Sequence, residues 1–187
     1  LRHLLQKMIQ ETGDQARARI ESIPDGTWRN RVYGDHTGLG WRLIWSDIVA
    51  TKSGGIIHID LSASSPQQPG PVNTPLAGSI GAIFSVLVST IFWDLNWNKG
   101  IVECVRVTAP HGSMFNPIYP APVGSRALIG HFVPALIFGA LAEVMPERIM
   151  AGVGSPLWSI PQAGVRPNGR SFANLFFFNG GMGATHR

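Results

Sequence analysis

Between Gln68 and Asp94 the chain carries no charged side chain. No other feature narrows the possible folds as much. Leu76 to Trp93 is apolar enough either to cross a bilayer or to pack inside a protein. Three details favour packing. Pro75 sits where a first helical turn would begin. Ser79, Ala82, Ser85 and Ser89 recur at helical spacing as a small, polar-leaning stripe. The flanks lack clustered cations, with Asp94 at one end. The expectation is a helix over residues 76–93 buried within protein, with no membrane span. Charge is sparse throughout: 14% of residues are charged, against about 25% in soluble domains. Much of the surface is therefore expected to be covered by the same protein or by other subunits.

Around that run, periodicity alternates between helix and strand. Leu1, Leu4, Leu5, Met8, Ile9, Ala16, Ile20 and Ile23 recur at three and four, which predicts an amphipathic helix over residues 1–23 with Arg17, Arg19 and Glu21 on its wet side. Pro24-Asp25-Gly26 is a turn. Trp41, Leu43, Trp45, Asp47 and Val49 alternate with Arg42, Ile44, Ser46 and Ile48 as a strand. Thr51–Gly55 reads as a hairpin loop, and Ile57, Ile59 and Leu61 as the inward face of a second strand with His58 and Asp60 outward. Ser62–Pro75 and Ala109–Val123 are loops rich in turn residues. Residues 101–108 read as a strand, and Ala127–Val144 as a helix that Pro134 kinks or starts. Ser155–Gly169 reads as a turn-rich loop before a last apolar strand. Without a regular βαβ rhythm or repeat, the fold class is mixed α+β, with antiparallel strand pairs and buried helices. The apolar ending and a start without Met suggest a fragment of a larger subunit.

Several functions are disfavoured. Residues 1–94 hold eight basic and eight acidic side chains and residues 95–187 hold seven and three, but the cations are scattered, so nucleic-acid binding lacks its footprint. The single Cys104 permits no internal disulfide or cysteine-pair zinc site, and a reducing cytoplasm fits. There is no G-x-G-x-x-G, P-loop, H-E-x-x-H or G-x-S-x-G string. His58 and Asp60 share a strand face and could share a metal, although an exposed polar strand face is the favoured reading. No residue is assigned as a metal ligand.

Candidate site residues lie on loops and one helix. Ser65, Gln67 and Asn73 offer hydroxyl and amide groups between a strand end and a helix N-terminus. The favoured reading is that Asn73 or Thr74 caps that helix, with Pro75 at its first position. His131, among Ile129, Phe132 and Val133, is a catalytic candidate or a satisfied buried histidine, and Asn73 is a second catalytic candidate. Asn179, Gly180, Gly181 and Gly183 follow the aromatic strand, where glycine can adopt φ > 0 and let backbone N–H groups approach a ligand. A plain turn is the alternative.

In order along the chain, I-P-D-G-T-W-R (23–29), I-D-L-S-A-S-S-P-Q (59–67), P-G-P-V-N-T-P-L-A (69–77), N-K-G-I-V-E-C-V-R-V-T-A-P-H-G-S-M-F-N-P (98–117), S-P-L-W-S (155–159) and F-F-N-G-G-M-G-A (177–184) resemble the hydantoinase B/oxoprolinase family. Within it the likeness is to the B-type subunits of N-methylhydantoinases. The resemblance implies that residues 1–187 are the central part of the family domain, truncated at both ends. It implies ATP-dependent opening of cyclic amides such as hydantoins or 5-oxoproline, with an A-type subunit or domain as the ATP-using partner. Acetone and acetophenone carboxylase subunits are the alternative relatives. ATP and a divalent metal are implied for the complete enzyme, neither bound by residues of this chain. Residues 123–133, which include G-S-R-A-L-I-G-H-F-V, depart from the commoner family pattern.

Overall fold

The computed structural model describes residues 1–152, 158–178 and 180–185. Helix α1 (Arg2–Glu21) leads into strands β1 (Gly26–His36), β2 (Trp41–Ser53) and β3 (Ile56–Asp60). Helix α2 (Leu76–Thr90), a short α3 (Lys99–Val102) and strand β4 (Val105–Thr108) follow, then helices α4 (Arg126–Gly130) and α5 (Phe132–Leu141) and strands β5 (Trp158–Val165) and β6 (Ser171–Phe178). The first four strands form one sheet in chain order. β1, β2 and β3 pair antiparallel, and β4 joins β3 in parallel. β5 and β6 form a separate antiparallel ribbon. This is the mixed α+β architecture with antiparallel strand pairs.

Strand alternation sets the layers. Ile44, Ile48, Ala50, Ile57 and Ile59 face inward and are buried, and α5 lies across β1 and β2. Asn30 of β1 fastens that helix by donating from Nδ2 to the carbonyls of Ala135 and Leu136 at 3.0 and 3.2 Å. Each fully buried isoleucine of this layer contributes about 1.5–3 kcal/mol of transfer free energy. The other face carries Arg31, Tyr33, Trp45, Asp47, His58 and Arg106; Arg31 Nε donates to Asp47 Oδ2 at 2.6 Å.

Lys52 is buried on the inward face, and its Nζ emerges at Asp25, 2.7 Å away. The Lys52 ammonium and the Gly54 N–H hold the Asp25 carboxyl below its ordinary value. The depressed acid contributes stability that is complete above the unfolded aspartate pKa of about 3.9 and is lost as pH falls through the lower folded value. Acid unfolding of the wild type and of Asp25→Asn is therefore expected to converge below that window and to separate above it. Parallel stability–pH curves would contradict this.

The structure corrects several sequence expectations. Residues 26–36 form a full strand, where only the turn at Pro24–Gly26 was expected. Its in–out alternation is regular, but the polar Asn30 takes an inner position, where its partner is the α5 backbone. The hairpin loop shrinks to Gly54-Gly55, with Gly54 at φ 54°, so β2 runs on to Ser53. Residues 99–102 are helical, and only residues 105–108 are strand. Ser155–Gly169 is largely β5 rather than loop; residues 153–157 lie outside the described residues. Pro134 falls in the first turn of α5, after a break at His131, which matches its reading as a helix start. α1 buries Thr12, Gly13, Ala16 and Ile20 but leaves Leu1, Leu4, Leu5 and Met8 exposed. Arg19 is not free in water: it makes a two-point ion pair with Asp94.

Helix α2 is buried on one side only. Ser79, Ile83 and Leu87 are enclosed, whereas Ser85 and Ser89 of the expected stripe are exposed and Ala82 is half-buried. The open side, with Ile80, Gly81, Phe84, Trp97 and Val102, lines an apolar trough of about 430 Å³. Among the described residues no helix is long and apolar enough to cross a membrane.

Candidate functional site

β3 and β4 run parallel, so the loops leaving their carboxyl ends, residues 61–75 and 109–125, emerge side by side. Backbone bonds knit them: Gln67 N–H donates to Gly112 O at 2.7 Å, Met114 N–H to Ser65 O at 3.1 Å, and Thr74 N–H to Met114 O at 2.8 Å. The β1–β2 turn joins them. Gly70 passes against the Thr37 carbonyl, and Gly38, at φ 87°, lies beside Pro71. Pro71 O in turn accepts from Ser125 N–H at 2.8 Å, and Thr74 Oγ1 donates to Arg126 O at 3.1 Å. Three loops and the start of α4 therefore meet in one junction.

Most polar side chains there hold the junction together. Ser65 Oγ accepts from Trp45 N–H at 2.9 Å and Ser64 Oγ from Asp47 N–H at 2.9 Å. These hydroxyls satisfy β2 where it runs beyond the end of β3. Gln67 Oε1 accepts from Ile118 N–H at 2.7 Å. Asn73 is fully enclosed. Its Oδ1 accepts from Gln68 N–H at 2.7 Å, and its Nδ2 faces the carbonyls of Gln68, Gly70 and Pro122 at 2.8, 3.1 and 2.9 Å. Neither Asn73 nor Thr74 caps α2; Pro75 occupies the N-cap without a side-chain bond. The loop backbone claims their polar groups first.

Among the described residues, three enclosed side-chain atoms have no hydrogen-bond partner: Gln68 Oε1, Ser113 Oγ and His131 Nε2. Gln68 and Ser113 sit in the two knitted loops, joined through the Pro66–Ser113 bridge. His131 follows α4 directly, at its break with α5. Gln68 Nε2 donates to Pro66 O at 2.6 Å, which fixes the direction of its amide oxygen. An unpaired buried polar group costs about 1–3 kcal/mol. Such a group is met by a bound water, an ion or a ligand, or serves a catalytic role.

The glycine-rich ending lies elsewhere. Ala151 N–H donates to Ala184 O at 2.8 Å, and Gly183 presses on the Ala151 carbonyl. Ala151 and Ala184 line one cavity with Phe138 and Gly139, so the ending packs by the C-terminal half of α5. His131 stands at the other end of that helix, about 15 Å away for ten residues at 1.5 Å each. Ser65, Gln67 and Asn73 are thus brought together, and the glycines are not among them. Asn179 lies outside the described residues, and neither Gly181 nor Gly183 adopts a positive φ. The structure separates the two glycines. Gly181→Ala is expected to be neutral, because its added methyl meets open space. Gly183→Ala meets backbone and is expected to lower stability by about 1–3 kcal/mol, read by denaturant titration.

His58 Nε2 is 2.8 Å from Thr108 Oγ1, and Asp60 Oδ1 accepts from Ser62 N–H at 2.8 Å. Among the described residues no group of three His, Cys, Asp or Glu side chains could hold a metal ion; this donor set does not fit a resident divalent metal. Cys104 is enclosed, its thiol 3.3 Å from Gly100 O, and burial pushes its pKa up. That environment disfavours a thiolate nucleophile.

Gln68 and Ser113 were missed in the sequence. Gln68 adjoins Gln67, and nothing in composition tells which amide the fold encloses. The one available signal was that Ser113 stands within the family phrase at 98–117.

A mixed sheet-and-helix body that carries its polar site on loops at one sheet end defines the class. The chain belongs to the hydantoinase B/oxoprolinase family, whose model matches residues 1–187. It is 31% identical over 74% of its length to a D-/L-hydantoinase B-type polypeptide, so named in Pseudomonas sp. (strain NS671), covering 25% of that protein. It is 25% identical over 94% of its length to the acetophenone carboxylase delta subunit of Aromatoleum aromaticum, covering 27% of it. The crystal structure of an ATP-dependent caprolactamase from Pseudomonas jessenii shares the fold at TM-score 0.77 and 24% identity, over 92% of this chain and 30% of that one. The chain therefore spans about a quarter of the length of the curated relatives it matches.

Proposed function

We propose that residues 1–187 are the central part of a B-type subunit of an ATP-dependent cyclic amide hydrolase, cytoplasmic and paired with an A-type ATP-using partner. The substrate class is a hydantoin-like or 5-oxoproline-like ring. The observations that carry the site are that Gln68 Oε1 and Ser113 Oγ, enclosed and unpaired, lie in two loops joined by the Pro66–Ser113 bridge, and that a third such atom, His131 Nε2, stands at the α4–α5 break. In this reading His131 handles a proton at the ring amide. Gln68 and Ser113 offer an acceptor and a hydroxyl to its polar edge once the loops admit it. Ser65, Gln67 and Asn73 are positioning residues, and Gly180, Gly181 and Gly183 form a boundary away from the ring. The hydantoinase-named relative supports the amide reading. A second reading, a ketone carboxylase subunit, is favoured by the acetophenone carboxylase delta subunit, which aligns with more of this chain.

The deciding measurement uses the full-length subunit with its A-type partner. ATP turnover stimulated by hydantoins or 5-oxoproline is expected. Stimulation only by a ketone with bicarbonate would replace the first reading with the second. His131→Gln is expected to lower kcat about 10²–10⁴-fold, the range for a lost general acid–base group, with ATP binding by the partner retained. Ser113→Ala removes an unpaired hydroxyl, so stability should hold or rise by about 1 kcal/mol while substrate-stimulated turnover falls. Unchanged turnover would remove Ser113 from the site.

A further inference from the structure

Of the enclosed, unpaired atoms found among the described residues, Gln68 Oε1 alone has a fixed hydrogen-bonding sense. A serine hydroxyl donates or accepts by rotation, and a neutral imidazole nitrogen does either according to its tautomer. The Gln68 amide cannot change roles. Its Nε2 donates to Pro66 O at 2.6 Å, and exchanging nitrogen for oxygen would set two acceptors against each other there. The backbone is held as well: the Gln68 N–H donates to Asn73 Oδ1 at 2.7 Å, and its carbonyl accepts from Asn73 Nδ2 at 2.8 Å. With 3% of its surface exposed, Gln68 presents a fixed acceptor that the fold leaves idle. Its neighbour shows the contrast, since Gln67 Oε1 takes the Ile118 N–H at 2.7 Å.

The surroundings define the donor that fits. Residues 61–75 and 109–125 contain no Lys, Arg, Asp or Glu, and their one histidine, His111, is exposed. Pro66 and Pro69, on either side of Gln68, have no backbone N–H to offer. A cationic donor would be buried there with no counter-charge from either loop, at a large cost. A neutral N–H meets the oxygen without that cost. A ring oxygen, a ketone or a methylated nitrogen brings no hydrogen to donate.

We propose that Gln68 is a specificity-determining residue. Its Oε1 accepts the N–H of the ring amide, so the site selects an unsubstituted cyclic amide over an isosteric lactone, an N-methyl derivative or a ketone. This inference rests on the ring-binding reading above, in which the loops part to admit the substrate.

The test uses the full-length subunit with its A-type partner and reads kcat/KM for substrate-stimulated ATP turnover. 5-Oxoproline and hydantoin are each compared with the derivative methylated at the nitrogen of the amide that opens. Both members of a pair are read on one preparation, so their ratio does not depend on how much protein is folded. The wild type is expected to prefer the N–H compound by at least about tenfold, as a site built around that hydrogen bond does. Gln68→Met keeps the side-chain length and removes the acceptor, and should bring the ratio close to one. Ser113→Ala should lower turnover on both compounds and leave the ratio unchanged. A second measurement needs no variant and adds no methyl: 2-pyrrolidinone should inhibit at a concentration at least about tenfold below that of γ-butyrolactone, its oxygen isostere. Equal inhibition by the two would mean that a bound water satisfies Gln68 Oε1, and would overturn the proposal. So would a preference that survives Gln68→Met, which would mark steric exclusion of the methyl, or one that Ser113→Ala abolishes. If neither 5-oxoproline nor hydantoin stimulates ATP turnover, the ring-binding reading fails and this inference with it. Stimulation without preference for the N–H compound overturns this inference alone.

Discussion

Asn73→Ala is expected to cost about 3–5 kcal/mol of folding stability and to disorder the loop junction before the sheet. The side chain is fully enclosed, and one amide closes four contacts. Its oxygen takes the Gln68 N–H, and its nitrogen faces three carbonyls, of Gln68, Gly70 and Pro122. Alanine leaves one donor and up to three acceptors without partners in a space where water has no ready access. Each abandoned group costs about 1–3 kcal/mol, and partial relaxation keeps the sum below the simple total. Asn73→Asp separates shape from chemistry. It keeps the size and the Gln68 contact, but a carboxylate cannot donate to three carbonyls, and it buries a charge. It should be at least as damaging as alanine. The measurement is denaturant unfolding of the full-length subunit, with hydrogen exchange at Gln68 and Thr74 to locate the opening. A loss under about 1 kcal/mol, within the range of ordinary surface changes, would show that the junction does not depend on this amide.

The legible parts of the fold were those in which one periodicity acts alone. Ile57, Ile59 and Leu61 alternate cleanly, and all three are buried. The charge-free run does form a helix, but its sides were misjudged, because apolar composition cannot say which face finds a neighbour. β1 was hidden because Asn30, an inward position, looks polar until the α5 carbonyls are placed opposite it. The site followed the same rule. Loop chemistry pointed to Ser65, Gln67 and Asn73, and the structure does bring them together. Which polar atoms remain unpaired is a three-dimensional result. Asn73 is saturated by residues up to 49 positions away, while Gln68 keeps an idle oxygen. In the glycine-rich ending close approach to backbone is made at Gly183, as it is at Gly70 in the loop junction, whereas Gly181 has open space around it.

Gly70→Ala is the other substitution expected to have a large effect. Gly70 needs no unusual φ; it is glycine because of proximity. A β-carbon there would coincide with the Thr37 carbonyl group and also crowd the Thr37 side chain. Both are enclosed parts of the β1–β2 turn, and Thr37 is itself held by its N–H to Gly40 O at 3.1 Å. Neither loop can retreat cheaply. Gly70 O is one of the acceptors of Asn73, and Pro71, the next residue, contacts Gly38 and receives Ser125. The methyl must therefore push apart the β1–β2 turn and the 61–75 loop. Overpacking of this kind costs about 1–3 kcal/mol where side chains can shift, and more where backbone opposes backbone. The expected loss is at the upper end of that range or above. Substrate-stimulated turnover should fall further than stability predicts, since Gln68 lies two residues away. Gly81→Ala, whose added methyl meets no atom within 4 Å, is the matched control and should be neutral or slightly stabilising in α2. Equal stability of the two variants would show that the turn and loop separate freely, and the junction would no longer qualify as a preorganised site.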